Sequence, residues 1–147
     1  MVTVDGTISA NGQYTSGEGG GSGGGVYVTC NTFAGNGGVV QANGNDGWGP
    51  GYGGGGRIAV VVADAAAQQL LAKPRVTLSA AKGRPSVAES WFDEGTIYLS
   101  DASLLDATWI PHTGQMWLGS AAWSVDSLTI SHGWIRFPAD GFRSCPS

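Results

Sequence analysis

Displaced by 32 residues, the chain falls on itself. Gly6-Thr-Ile-Ser-Ala-Asn-Gly12 aligns with Gly38-Val-Val-Gln-Ala-Asn-Gly44, and the glycine run before Val26-Tyr27-Val28 aligns with the run before Ile58-Ala59-Val60. Ten of the 23 positions from Gly6 to Val28 are identical at that offset, with no gap. A repeat of this kind constrains the fold strongly, because each unit must pack in the same way against its neighbours.

A shorter unit lies within the repeat. The pattern glycine-x-apolar-x-apolar starts at Gly6, Gly24, Gly38, Gly56, Gly95, Gly114 and Gly133, with a copy lacking the glycine at Val76. Each copy alternates with period two, as a strand with one buried face does. The first inward row is Ile8, Val26, Val40, Ile58, Leu78, Ile97, Met116 and Ile135. Its companion is Ala10, Val28, Ala42, Val60, Ala80, Leu99, Leu118 and Phe137. Strands this short and this regularly spaced bury their faces by stacking, so the expectation is an all-β β-solenoid. Its coil holds either two pattern strands in 32–38 residues or one in about 19. The competing architecture is an antiparallel sandwich.

The segments Ile8-Ser-Ala-Asn-Gly12, Gly19-Gly-Gly-Ser-Gly-Gly-Gly-Val-Tyr-Val28 and Gly53-Gly-Gly-Gly-Arg-Ile-Ala-Val60 resemble glycine-rich repeats of large secreted or surface bacterial proteins. That resemblance covers residues 5–62, and residues 76–137 only through the strand pattern. It implies a right-handed parallel β-helix with glycine-rich loops, and an extracellular or cell-surface location. Adhesive and polysaccharide-degrading members occur in such families, and no universal catalytic motif comes with them. Beginning in mid-repeat, the chain reads as a fragment of a longer parent with flanking domains.

Composition narrows the functions. Of the 26 glycines, 20 precede residue 57, and only 12% of the 147 residues are charged. Seven basic against eleven acidic residues leave a net charge of −4, without the clustered basic footprint of a nucleic-acid binder or an electrostatic membrane anchor. No run of 18 apolar residues suggests membrane insertion. Cys30 and Cys145 fit no metal-ligand spacing, and a stacked fold is expected to hold them too far apart for a disulfide. His112 and His132 lie in turns and read as surface residues. Neither a metal nor a cofactor is expected.

The chain divides into glycine-rich repeats at 1–62, a short helix with its connection at 63–75, and an aromatic-rich continuation with a C-terminal cap at 76–147, all in one domain. Asp64 can cap a helix reaching Lys73, which Pro74 stops. So short a helix is expected to dock through Leu70 and Leu71. Gly20-Gly-Ser22-Gly-Gly24 matches a nucleophile elbow only in letters, since a strand and not a helix follows Ser22.

Two places can carry chemistry. The loop at 82–94 abandons the glycine pattern and acquires Lys82, Arg84, Glu89, Trp91, Asp93 and Glu94. Carboxylates so grouped are the candidates for acid–base cleavage of a glycosidic bond, although neighbouring Asp93 and Glu94 point to opposite faces of an extended chain. The second is the outward row, where Tyr98, Trp117 and Arg136 form a stripe with Trp134 beside it. Aromatic rings and a guanidinium suit a polysaccharide, or burial under a neighbouring domain. The expected function is therefore a structural or adhesive extracellular segment that contacts a polysaccharide or surface glycan, with Trp91, Tyr98, Trp117, Trp134 and Arg136 binding. The alternative is a glycoside hydrolase or polysaccharide lyase using the 82–94 loop. An ice-binding surface is disfavoured, because Thr7, Thr77 and Thr96 make no contiguous array.

Overall fold

The computed structural model of the chain describes residues 1–15, 19–46, 51–83, 94–106, 112–120 and 134–136. In order, the strands are β1 (Val2–Thr3), β2 (Thr7–Ser9), β3 (Tyr14–Thr15), β4 (Gly19–Gly20), β5 (Gly25–Cys30), β6 (Phe33–Ala34), β7 (Asn36–Gln41) and β8 (Arg57–Val62). Helix α1 (Ala65–Gln69) follows, then β9 (Arg75–Ser79), β10 (Thr96–Leu99), a 3-10 turn at Ala102–Leu104, β11 (Gln115–Leu118) and β12 (Trp134–Arg136).

The expected right-handed parallel β-helix is not what these residues form. Their strands fall into four separate sheets: five strands in the order β12-β11-β10-β8-β5, three in the order β2-β7-β9, and the pairs β1-β6 and β3-β4. Pairing is parallel except in the antiparallel β3-β4, so the sandwich alternative fails as well. The stacking is also uneven. Partners are offset by 32 residues between β5 and β8, as in Gly25 with Arg57, but by 19 between β10 and β11, as in Thr96 with Gln115. The described strands after β9, namely β10, β11 and β12, all belong to the five-stranded sheet. Beyond β9, the described part of the three-stranded sheet dwindles to the single bridge Ser79–Thr113.

Within each sheet the period-two pattern lines up rung by rung. Val26, Ile58, Ile97, Met116 and Ile135 are successive partners across the five-stranded sheet, and Ile8, Val40 and Leu78 across the three-stranded one. Ile8, expected to face inward, is 37% exposed, whereas the other inward residues of both sheets share one apolar cluster, in which Val40, Val60 and Ile97 have no exposed surface. Parallel in-register pairing makes each buried residue cover the next, so the core is a column of like side chains.

One corner recurs where the chain passes between the sheets. The N–H of Gly24 donates to the Ala10 carbonyl at 2.7 Å, Gly56 to Ala42 at 2.8 Å, and Gly95 to Ala80 at 2.7 Å. Between the ends of the first two corners, the described residues leave the two main sheets in an excursion. The first two excursions hydrogen-bond backbone to backbone, as in Asn45 N–H to the Gly21 carbonyl at 2.9 Å and Gly23 N–H to Gly54 at 2.9 Å. Asparagines tie the excursions to the sheet: the Asn11 side chain accepts from Asn43 N–H, and the Asn43 side chain accepts from Ala81 N–H and the Ser79 hydroxyl.

Two strand edges are covered by side chains. Asp64 caps α1 by accepting from Ala67 N–H, as its position implied. The helix then docks through Gln68, not through the leucines. The buried Gln68 amide accepts from Phe33 N–H at 2.7 Å and donates to the Phe33 carbonyl at 3.0 Å, imitating a strand beside β6. With Gln68 turned inward, helical geometry rotates Leu70 away, and it is 88% exposed. At β9, His112 Nδ1 accepts from Leu78 N–H at 3.1 Å while Thr113 N–H returns to the Leu78 carbonyl. Edge backbone left bare would invite pairing with other chains, and both devices satisfy it.

His112 is therefore no simple surface residue. Its burial pushes the imidazole down to about 4, and its bond to Leu78 requires the neutral ring. Between about pH 6.5 and 4 the unfolded chain takes up a proton that the folded chain refuses, so stability falls as pH drops through this window. We expect a loss on the order of 2–3 kcal/mol, read as urea midpoints at pH 7 and pH 4. His112→Gln should flatten that dependence. An unchanged slope in the variant would place the proton uptake elsewhere.

Candidate functional site

The outer face of the five-stranded sheet brings Tyr27, Arg57, Tyr98, Trp117 and Arg136 together. In-register pairing turns every second residue into a straight row. One row is Gly25, Arg57, Thr96, Gln115 and Trp134, and the next is Tyr27, Ala59, Tyr98, Trp117 and Arg136. Successive members stand about 4.8 Å apart across the strands. The second row contains the expected stripe of Tyr98, Trp117 and Arg136, and Trp134 lies in the adjacent row. Tyr27 is 71% exposed, Tyr98 39% and Trp117 36%.

The row is not uniform. The Arg136 guanidinium carbon sits 4.5 Å from the centroid of the Trp117 ring, a cation–π stack of about 0.5–1 kcal/mol at an exposed position. Tyr98 leans toward β11: a Cβ placed on Gly119 would lie 2.6 Å from its hydroxyl. Gly119 thus provides the space in which the Tyr98 phenol lies beside Trp117. The neighbouring position on β8 carries only the methyl group of Ala59. A trough results, floored by Ala59 and flanked by Tyr27 and Tyr98 about 10 Å apart, with exposed Arg57 two residues away along β8. Arg57 and Tyr27 were absent from the expected binding set, although counting back by two from Ala59 would have found Arg57.

The 82–94 loop contributes differently. Arg84, Glu89, Trp91 and Asp93 lie outside the described residues, as do His132 and Cys145. Glu94 and Lys82 are described, and they close the base of the loop. The Glu94 carboxylate accepts from the Lys82 backbone N–H at 2.9 Å, and the Glu94 carbonyl accepts from the Gln115 side chain at 3.1 Å. Glu94 is thus held by a structural task at the foot of the excursion.

A concavity of about 580 Å3 is lined by Thr3, Asp5, Asn36, Lys73, Arg75 and Asp106 among others. Two pairings join polar groups of its lining. Asp5 accepts from Asn36 N–H at 2.8 Å, and Arg75 Nε stands 3.5 Å from Asp106. Such pairing leaves the outer face as the better candidate. No protein-family model, curated protein or solved structure matches this chain.

Proposed function

We propose that this protein is a non-catalytic binding module that contacts a polysaccharide or surface glycan through the outer face of the five-stranded sheet, in a structural or adhesive role outside the cell. The observation that carries this reading is the in-register row Tyr27, Ala59, Tyr98, Trp117 and Arg136, with its trough at Ala59. Aromatic side chains supply apolar area for the C–H faces of sugar rings, while guanidinium and hydroxyl groups meet sugar hydroxyls. Rows of side chains held by backbone ladders are pre-organised, so little ordering entropy opposes binding. A row that runs across five strands also suits a polymer better than a single small molecule. Glu94, the one described carboxylate of the 82–94 loop, is engaged in closing that loop.

Sedimentation with a panel of insoluble polysaccharides tests the reading. Wild-type protein should bind at least one of them. Tyr98→Ala and Trp117→Ala should each weaken that binding about fivefold or more, the loss expected when an anchoring aromatic is truncated. Variants that bind as tightly as wild type would remove the face from the account.

A further inference from the structure

Resting on that reading, we infer that the glycan is anionic: a polyuronate whose carboxylates meet Arg57 and Arg136. The chain as a whole is acidic, with eleven carboxylate residues against seven basic ones. The outer rows of the five-stranded sheet reverse that sign. Their outward positions are Gly25, Tyr27 and Thr29 on β5, Arg57, Ala59 and Val61 on β8, Thr96 and Tyr98 on β10, Gln115 and Trp117 on β11, and Arg136 on β12. Two arginines and no carboxylate stand among them.

The acidic residues flanking β10 are committed elsewhere. The Glu94 carboxylate takes the Lys82 N–H, and Asp101 accepts from both the N–H and the hydroxyl of Ser103. Arg57 and Arg136 are both exposed. A face that carries arginines and, among the described residues, no carboxylate is complementary to a negative partner. Guanidinium also pairs with carboxylate through two parallel hydrogen bonds, which a neutral sugar hydroxyl does not offer.

Spacing argues for a polymer. Arg57 and Arg136 lie three strand steps apart across the sheet and two residues apart along it, about 16 Å between their backbones. One small anion does not span that distance, whereas a chain carrying a carboxylate on every sugar presents charge at both ends of the row. Between the arginines lie Ala59, Tyr98 and Trp117, whose apolar surface suits the intervening rings.

The test is affinity electrophoresis of the whole chain in gels containing polygalacturonate, alginate, fully methyl-esterified polygalacturonate or a neutral glucan. The inference expects retardation by at least one of the two polyuronates, and little by the ester, which keeps the sugar backbone and removes the charge. Raising the salt to about 1 M, where screening acts within about 3 Å, should abolish most of the retardation. Arg57→Ala and Arg136→Ala should each weaken binding about threefold, and together about tenfold. Circular dichroism confirms that the variants fold, and the salt series on the unaltered chain gives an answer independent of them. Equal retardation by the ester or the neutral glucan overturns the anionic preference and leaves the carbohydrate reading standing. Retardation by none of the four overturns the inference, and failure across the sedimentation panel as well overturns the carbohydrate reading with it.

Discussion

Gly56→Ala and Gly95→Ala are each expected to destabilise the protein by about 3 kcal/mol or more, or to prevent folding. These glycines form the corners that join the two main sheets, and their backbone conformation is open to any residue. The obstacle is space. A Cβ on Gly56 would overlap the Gly24 carbonyl oxygen, and one on Gly95 would overlap that of Gly56. Flexible side chains can move aside, but here the obstructing atoms belong to backbone already hydrogen-bonded into the corner. Over-packing a well-filled interior costs about 1–3 kcal/mol when side chains can adjust, and more when they cannot. Gly6→Ala is the control, since nothing lies within 4 Å of the position its Cβ would take. Urea unfolding of the three variants makes the comparison, and a Gly56 variant as stable as the Gly6 variant would contradict the corner geometry.

The next largest effect belongs to Ile97→Ala, expected to cost about 2–5 kcal/mol because a fully buried side chain is truncated within a column. Its neighbours in that column are Ile58 and Met116, both buried, and neither can close the gap without pulling its own strand out of register. Tyr98→Ala, one residue along the same strand, should cost less than about 1 kcal/mol, since its ring lies on the outer face. Denaturant midpoints of the pair measure the alternation directly. Equal losses would mean that Ile97 and Tyr98 do not face opposite ways.

Strand facing was legible in the sequence because it follows from local alternation, whereas strand direction does not follow from alternation. Ile8, Val40 and Leu78 stand in register in one sheet, and Val26, Ile58, Ile97, Met116 and Ile135 in the other, as period two requires. How the rows divide between sheets was not legible. A repeat offset states which residues are equivalent, whereas closure depends on how far each connection reaches, and here the offset falls from 32 to 19 residues. The helix misled for a related reason. Hydrophobicity alone points to leucine as the docking residue, but the edge of β6 needs a donor and an acceptor, and Gln68 supplies both. His112 was misread in the same way, since nothing local signals that a turn imidazole will complete a sheet edge. In the candidate site, the stripe of Tyr98, Trp117 and Arg136 could be read from the alternation. The lean of Tyr98 toward Gly119 could not.

The central claim is that the outer face of the five-stranded sheet is the binding surface. Its most direct test is an amide chemical-shift titration of the isotopically labelled chain with soluble oligosaccharides from whichever polysaccharide the protein binds. The account predicts shifts concentrated at Tyr27, Arg57, Ala59, Tyr98, Trp117 and Arg136, with the inward rows and the groove around Asp5 and Arg75 unmoved. Shifts concentrated in that groove, with the outer rows silent, would contradict it.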